Sequence, residues 1–459
     1  MVHERAWWRF ELNLGTLRFA TAAALASWAL QSNALAAQEA AQQSKSIRLE
    51  NLSVDDVLAI AGRLIDAGRY EEAQALLDRL AADRVGGVER DFLDGMIALA
   101  RKDYSHAEAL FRKILAGDPG LIRVRLELAR TLFLEQEDED ADYHFKLAIA
   151  EHPPEAVVQN IARFREAIRA RRAWRFNLTF AIAPDSNINS ATDKERVDLF
   201  GLPFQLDGSA RARSGTGVIA AADASVRLLR DSKTPLYLAG YGRMVRYPDH
   251  DFDDIYFGGE AGPEFRVSGG RLRVAATGLE RWYGGHPLVT SLGGRLNYDK
   301  IIAGKWALEA SLAARNNAYA RRSDVDGWDV EAALSANRAL SASALGFGFA
   351  SVQRSIASDP GQSNWQGRIG GGVLKEIGWG LRPQLSFEVG RQVNDAPLAL
   401  FGKTRRDWRL LASASIYKRD WNVAGFAPSL RVSYTRNVST ISLYDQKRLR
   451  AEFGITKAF

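Results

Sequence analysis

The chain contains no cysteine. This excludes disulfides, thiolate metal sites, cysteine nucleophiles and a lipid-bearing cysteine at a mature amino terminus. Long apolar runs are missing too. Beyond the first 37 residues nothing approaches the roughly 18 apolar residues a membrane-spanning helix needs. A mean hydropathy of −0.21 is still compatible with a membrane barrel, which shows lipid only every second strand residue. Histidine is scarce, and its six copies include no two at metal-binding spacing. His106, His144 and His152 fall in a helical region, and His250 and His286 in loops. No HExxH, GxGxxG, Walker loop or GxSxG is present, so enzyme, cofactor and metal chemistry have no foothold. The net charge of +6 at pH 7 is modest for 459 residues and carries no nucleic-acid signal.

The first 37 residues have the order of a secretory signal peptide. Arg5, Arg9 and Arg18 precede an apolar stretch from Phe19 to Leu30, and Ala34-Leu35-Ala36 or Leu35-Ala36-Ala37 follows as a cleavage site. About 12 apolar residues are too few to cross a bilayer. Residues 38–52 read as a linker.

From residue 53 to about 171 the apolar period is helical, and a longer period of 34 lies beneath it. Ala73, Ala107 and Ala141 keep that interval, as do Ala61, Gly95 and Ala129, and Leu77, Phe111 and Phe145. Tyr70 and Tyr104 repeat it, and so do Pro119 and Pro153. Small residues at two fixed places mark the tetratricopeptide repeat. The spacing predicts hairpins at 53–83, 86–116 and 119–150, with a capping helix from Pro154 to Arg171. Such repeats stack into a solenoid whose concave face binds proteins far more often than it catalyses. Asp91 and Asp94 depart from the consensus by replacing apolar residues, which makes them candidates for binding in the groove. Arg163, Arg165, Arg169, Arg171 and Arg172 crowd the capping helix, as a docking patch or as a solvated face.

From 172 to 459 the period changes to two. Alternating segments predict 14 strands at about 174–182, 215–229, 235–247, 254–267, 271–283, 287–300 and 305–318. The series continues at 328–338, 343–354, 363–375, 379–392, 405–418, 423–436 and 447–459. In the last, Leu449, Ala451, Phe453, Ile455 and Phe459 share one face, and Arg450, Glu452, Gly454 and Thr456 the other. Short turns (Ser268-Gly269-Gly270, Ala303-Gly304) alternate with longer loops at 183–214, 319–327, 393–404 and 437–446. An even strand count with short turns at one end is the pattern of an outer-membrane barrel, and an open sheet edge in lipid would leave backbone groups unsatisfied. The expected architecture is an all-α repeat solenoid followed by a 14-stranded antiparallel transmembrane β-barrel. Phe453 and the terminal aromatic Phe459 are then the barrel's insertion signal.

Several segments carry a family resemblance. They are Pro184-Asp185-Ser186-Asn187-Ile188-Asn189 after the first strand, Gly425-Phe426-Ala427-Pro428, Tyr434-Thr435-Arg436, and Val438 to Asp445. In this order, behind tetratricopeptide helices, they resemble the surface lipoprotein assembly modulators. That resemblance implies an outer-membrane translocon of the type XI secretion class, with its helices in the periplasm. Its partners would be a client lipoprotein or a related soluble haem- or metal-acquisition protein, a periplasmic chaperone, the barrel assembly machinery and outer-membrane lipid. It implies a monomer, with no cofactor and no nucleic acid. The helices would recruit the client and the barrel would provide the route. Pro184 to Asn189 enter as a motif without an assigned role, since an asparagine-rich turn also follows from local side-chain to backbone bonds. The alternative reading is an exopolysaccharide export porin on a tetratricopeptide scaffold. A passive porin would leave the helices without a purpose.

Overall fold

The structure, a computed structural model, describes residues 53–79, 87–171, 174–199, 202–229, 232–302, 306–377, 380–418, 421 and 426–458. The signal peptide, the linker and Phe459 lie outside the described residues. Among the described residues seven helices come first: α1 (Val54–Asp66), α2 (Tyr70–Asp78), α3 (Val88–Ala100), α4 (Tyr104–Gly117), α5 (Ile122–Leu134), α6 (Asp138–Ala150) and α7 (Glu155–Arg171).

The 34-residue period is written into the backbone as well as the core. Gly68, Lys102 and Gln136 each adopt a left-handed φ, at 75°, 65° and 70°, directly after the first helix of a repeat. The next residue in each case, Arg69, Asp103 or Glu137, returns its N–H to a carbonyl five residues back at 2.8–2.9 Å. This is a Schellman stop, repeated three times. The small positions are closed: Ala61, Ala73, Ala107, Ala129 and Ala141 are fully buried, beside Leu77, Phe111 and Phe145. At Gly95 a Cβ would lie 2.7 Å from the Phe111 ring, so the aromatic fills the space the glycine leaves.

The barrel follows as β1 (Trp174–Asp185), then a small hairpin of β2 (Arg196–Leu199) and β3 (Leu202–Gln205), then β4 (Gly215–Leu228), β5 (Leu236–Arg246), β6 (Asp254–Val267), β7 (Gly270–Tyr283) and β8 (His286–Ile302). It continues through β9 (Trp306–Tyr319), β10 (Gly327–Ser341), β11 (Ala344–Ala357), β12 (Asn364–Lys375), β13 (Leu381–Leu398), β14 (Lys403–Lys418), β15 (Ala427–Ser439) and β16 (Gln446–Ala458). Fourteen of these, all but β2 and β3, pair with their neighbours and close where β1 meets β16.

The side-chain alternation explains the closure. Leu449, Phe453 and Ile455, Leu385 and Phe387, and Leu312 and Ile369 point outward and are exposed, as a lipid-facing set must be. Trp174 and Trp306 sit at one rim, and Trp328, Trp365 and Trp408 at the other. Several carry a guanidinium over the ring, Arg338 on Trp306 at 5.3 Å and Arg391 on Trp408 at 4.8 Å, as expected where bilayer meets water. Inward-facing charges form ladders, such as Arg368 and Arg315 about Glu331 at 2.7 and 3.9 Å.

Two features depart from the sequence expectation. The loop predicted at 183–214 contains the β2–β3 hairpin, whose four-residue strands are too short to show alternation. The loop predicted at 393–404 is mostly strand, because β13 runs to Leu398 and β14 starts at Lys403, with the pairing broken between Val393 and Pro397. The long-loop end is also uneven, since β7 and β8 are joined there by Gly284-Gly285 alone, both at positive φ.

Candidate functional site

Helix α6 seats the repeat module on the end of the barrel that carries Ala342, Glu376 and the start of β13. Its Asp140 accepts from Arg382 at 2.9 Å, and the same guanidinium lies 4.2 Å over the Tyr143 ring. Just past the helix, Glu151 Oε1 accepts the Ala342 N–H at 2.6 Å. Glu166 of α7 accepts from Arg266 at 3.3 Å.

Beneath α6 lies a buried polar knot. Arg125 donates to Pro119 O at 2.9 Å, and its other terminal nitrogen stands 3.1 Å from His144 Nδ1. An arginine can only donate, so Nδ1 accepts and the imidazole proton sits on Nε2, towards Glu376 4.0 Å away. Burial, reinforced by Arg112, Arg125 and Arg382, holds the His144 pKa well below its usual value, so the ring is neutral. Arg112 approaches Glu376 to 3.9 Å. Several buried atoms of this knot, His144 Nε2, Glu376 Oε2, Arg382 Nη2 and Tyr143 Oη, have no hydrogen-bond partner among the described residues. A polar interface satisfied only in part is not optimised for permanence, because separation lets these groups hydrate.

Between the module and the barrel mouth is a cavity of about 1800 Å³. Its helical wall is acidic, with Glu108, Glu135, Glu137, Glu139, Asp140 and Asp142. The barrel wall opposite is basic, with Arg175, Arg227, Arg271, Lys300 and Lys457. Arg227 and Arg271 are tied to Glu264 and Asp299 at 3.4 and 2.8 Å. Burial, and next the neighbouring Glu108 and Glu137 charges, push the Glu135 carboxyl up to about 7. Asp142 goes the other way: burial opposes its charge, but Lys146 and Arg165 together bring it down to about 2. This vestibule can hold a polypeptide segment of mixed charge between an acidic and a basic face.

The family motif lies at the opposite end of the barrel. Asp185, with no exposed side-chain surface, accepts from Arg448 Nε at 2.9 and 3.0 Å and from the Asn187 N–H at 2.9 Å. Ser186 N–H donates to Leu449 O at 2.9 Å, and Leu449 N–H returns to Ser186 Oγ at 2.8 Å. Asn187, fully buried, bridges Ala191 O and Lys447 O at 2.8 and 3.0 Å. Asn189 holds the far limb of the loop through Arg211 O at 2.8 Å and the Arg213 N–H at 3.0 Å. Ile188 packs with Ala181, Ala183, Ile219, Val245 and Tyr247. The local asparagine turn expected from the sequence is present, and it also binds β16, some 260 residues away.

Asp91 and Asp94 are not brought to the vestibule. Asp91 pairs with Lys113 at 2.8 Å and Asp94 with Arg90 at 3.5 Å. Burial raises the Asp94 pKa against the pull of Arg90. Of the capping-helix arginines, Arg165 and Arg171 are spent within the module on Asp142 and Asp138. Phe453 faces outward on β16. Sequence reasoning missed the α6 knot and the vestibule, because docking between modules leaves no period. The exchange of carboxylates for arginines between 135–142 and the strand ends was the one available signal.

Comparison with known proteins accords with this architecture. Residues 174–459 match the family model described as surface lipoprotein assembly modifier, and residues 89–145 match the model of that family's N-terminal TPR repeats. Surface lipoprotein assembly modifier 1 of Neisseria meningitidis serogroup B is 25% identical over 80% of this chain and 75% of its own length. The surface lipoprotein assembly modifier of Moraxella catarrhalis is 24% identical over 83% of this chain and 75% of its own. The hemophilin secretion modulator of Acinetobacter baumannii is 20% identical over 80% and 78%. A family model spanning the whole barrel, a second on the repeats and the closed fourteen-strand fold lead to one assignment: the chain belongs to the surface lipoprotein assembly modifier family.

Proposed function

We propose that this protein delivers periplasmic client proteins to the cell surface through the outer membrane. The client is a lipoprotein or a related soluble haem- or metal-acquisition protein; the relatives' names speak of a surface lipoprotein and of hemophilin. The observation that carries this reading is the repeat module seated on the barrel mouth by polar contacts that can hydrate, enclosing a vestibule of about 1800 Å³ with opposed charges. A passive porin has no use for such a module. The exopolysaccharide alternative is not favoured, because the family's named members act on proteins.

In this account the helices recruit the client, the vestibule receives a segment of it, and the barrel is the route. The acidic wall from Glu135 to Asp142 is the surface we assign to the client, its Asp138, Asp140 and Asp142 exchanging Arg171, Arg382 and Lys146 for client cations. Asp91 and Asp94 could join only by exchanging Lys113 and Arg90 for a client cation. A periplasmic chaperone handing over the client, insertion by the barrel assembly machinery and a monomeric barrel complete the proposal.

The experiment is a comparison of surface proteins. Intact cells with and without the gene are shaved with protease, and the released peptides are identified. One or a few proteins should leave the surface when the gene is deleted and return on complementation. An unchanged surface set would reject the reading.

A further inference from the structure

The barrel closes on its shortest ladder. Along its other edge β1 pairs with β4 without a break, from Trp174 opposite Val226 to Asp185 opposite Gly215. Against β16 the ladder runs only from Asn177 opposite Ala458 to Ile182 opposite Phe453, and resumes once, at Asp185 opposite Arg450. The interruption falls at Ala183-Pro184, and proline has no N–H to give a ladder. At Gly454 the strands come so close that a Cβ would lie 2.6 Å from Phe180 O and 2.9 Å from the Ala181 Cβ, so no side chain interlocks them there. What fastens the outer end is the clasp of Asp185, Ser186 and Asn187 on residues 447–450.

From this geometry we infer that the β1–β16 seam is a lateral exit, with the Asp185-Ser186-Asn187 clasp as its latch, through which a client's lipid anchor passes from the lumen to the outer leaflet. The inference rests on the proposed delivery function and adds the path for one chemical class of cargo. A lumen lined with charge ladders is hostile to acyl chains, whereas the bilayer is their solvent. A polypeptide can leave by the open end of the barrel, but an anchor bound for the membrane needs a gap in the wall. The seam offers one at the smallest loss of backbone pairing, since β1 stays attached to β4 along its full length. Opening also requires the clasp to let go, because Arg448 spans the gap to reach Asp185.

The test uses the chain's lack of cysteine. Thr179 and Thr456 stand opposite one another across the seam with their hydroxyls 3.0 Å apart. T179C/T456C therefore places two sulfurs at disulfide reach, since facing strand residues have suitable Cα spacing. Ser386 and Ser413 stand in the same relation on β13 and β14, 2.7 Å apart, and S386C/S413C is the matched control. The probe is the lipoprotein identified by surface shaving, expressed with its lipidated cysteine or with a cleavable signal peptide and no lipid. Oxidised T179C/T456C should lower surface display of the lipidated form at least tenfold, and reductant should restore it. The unlipidated form, and both forms in oxidised S386C/S413C, should be displayed as in the parent. Full display of the lipidated form by the seam-locked barrel overturns the lateral exit, and so does equal loss of both forms. If the parent chain displays neither form, the delivery reading itself has failed, which is a separable result.

Discussion

Replacing Asp185 with alanine is the sharpest perturbation of the outer clasp. The carboxylate has no exposed side-chain surface, receives Arg448 Nε at 2.9 and 3.0 Å, and lies 3.9 Å from Arg450. Its removal strands one guanidinium and weakens the setting of a second. Breaking a buried ion pair from one side typically costs about 3–5 kcal/mol. Here the low end, about 3 kcal/mol, is appropriate, because 26% of the Arg448 side chain reaches solvent and Arg450 keeps Glu452 at 3.1 Å. The Asn187 N–H loses its acceptor as well, and with it the loop that runs back over β16. The assay is urea unfolding of the detergent-folded barrel, followed by the gel shift between folded and heat-denatured forms. Asp185→Asn, which keeps the shape and an acceptor, should lose less than Asp185→Ala. The double variant Asp185→Ala/Arg448→Ala should lose less than the sum of the singles, because the second change removes the stranded charge. An Asp185→Ala barrel within about 0.5 kcal/mol of the parent would refute the reasoning, since surface changes away from such features stay inside that range.

Two further predictions concern the membrane face and the vestibule. Phe453→Asp puts a carboxylate on the lipid face, on the order of 2 kcal/mol at depth, so less folded barrel should reach the outer membrane, measured by quantitative fractionation. Glu135 has its pKa raised from 4.5 to about 7 in the folded chain, so its contribution to stability is fully present below about 4.5 and lost as pH rises through about 7. Hydrogen-exchange protection in the α5–α6 turn, taken relative to the intrinsic base-catalysed rate at each pH, should therefore fall over that window in the parent, and Glu135→Gln should flatten the response. A parent whose protection stays constant between those values would contradict the assigned environment.

The barrel was legible because lipid imposes one rule on every strand. Leu385, Phe387 and Val389 alternating with Ser386, Glu388 and Gly390 can be read without any knowledge of a partner strand. The repeats were legible because Gly95 and Phe111 must fit each other at a fixed interval. What escaped was structure outside both regimes. The β2–β3 hairpin and the ends of β13 and β14 stand where no bilayer enforces alternation. Pro184 to Asn189 showed their asparagine chemistry in the sequence, but not Arg448, a partner that only barrel closure brings near. The α6 knot was hidden for a similar reason. His144 and Arg125 lie on helices whose period says only that they are inward, and Glu376 follows β12 more than 200 residues away.

The central claim, that the helices recruit a client which the barrel carries out, is tested most directly by separating the two. A chain with its signal peptide joined to residues 172–459 retains every lipid-facing residue and should insert as a heat-modifiable barrel. The measurement is protease accessibility of an epitope-tagged client in intact cells, normalised to the amount of folded barrel. The account predicts display by the full chain and loss of display to background by the shortened one. Full display by the shortened chain would contradict it and leave the helices as a plug or a stabiliser of the periplasmic mouth.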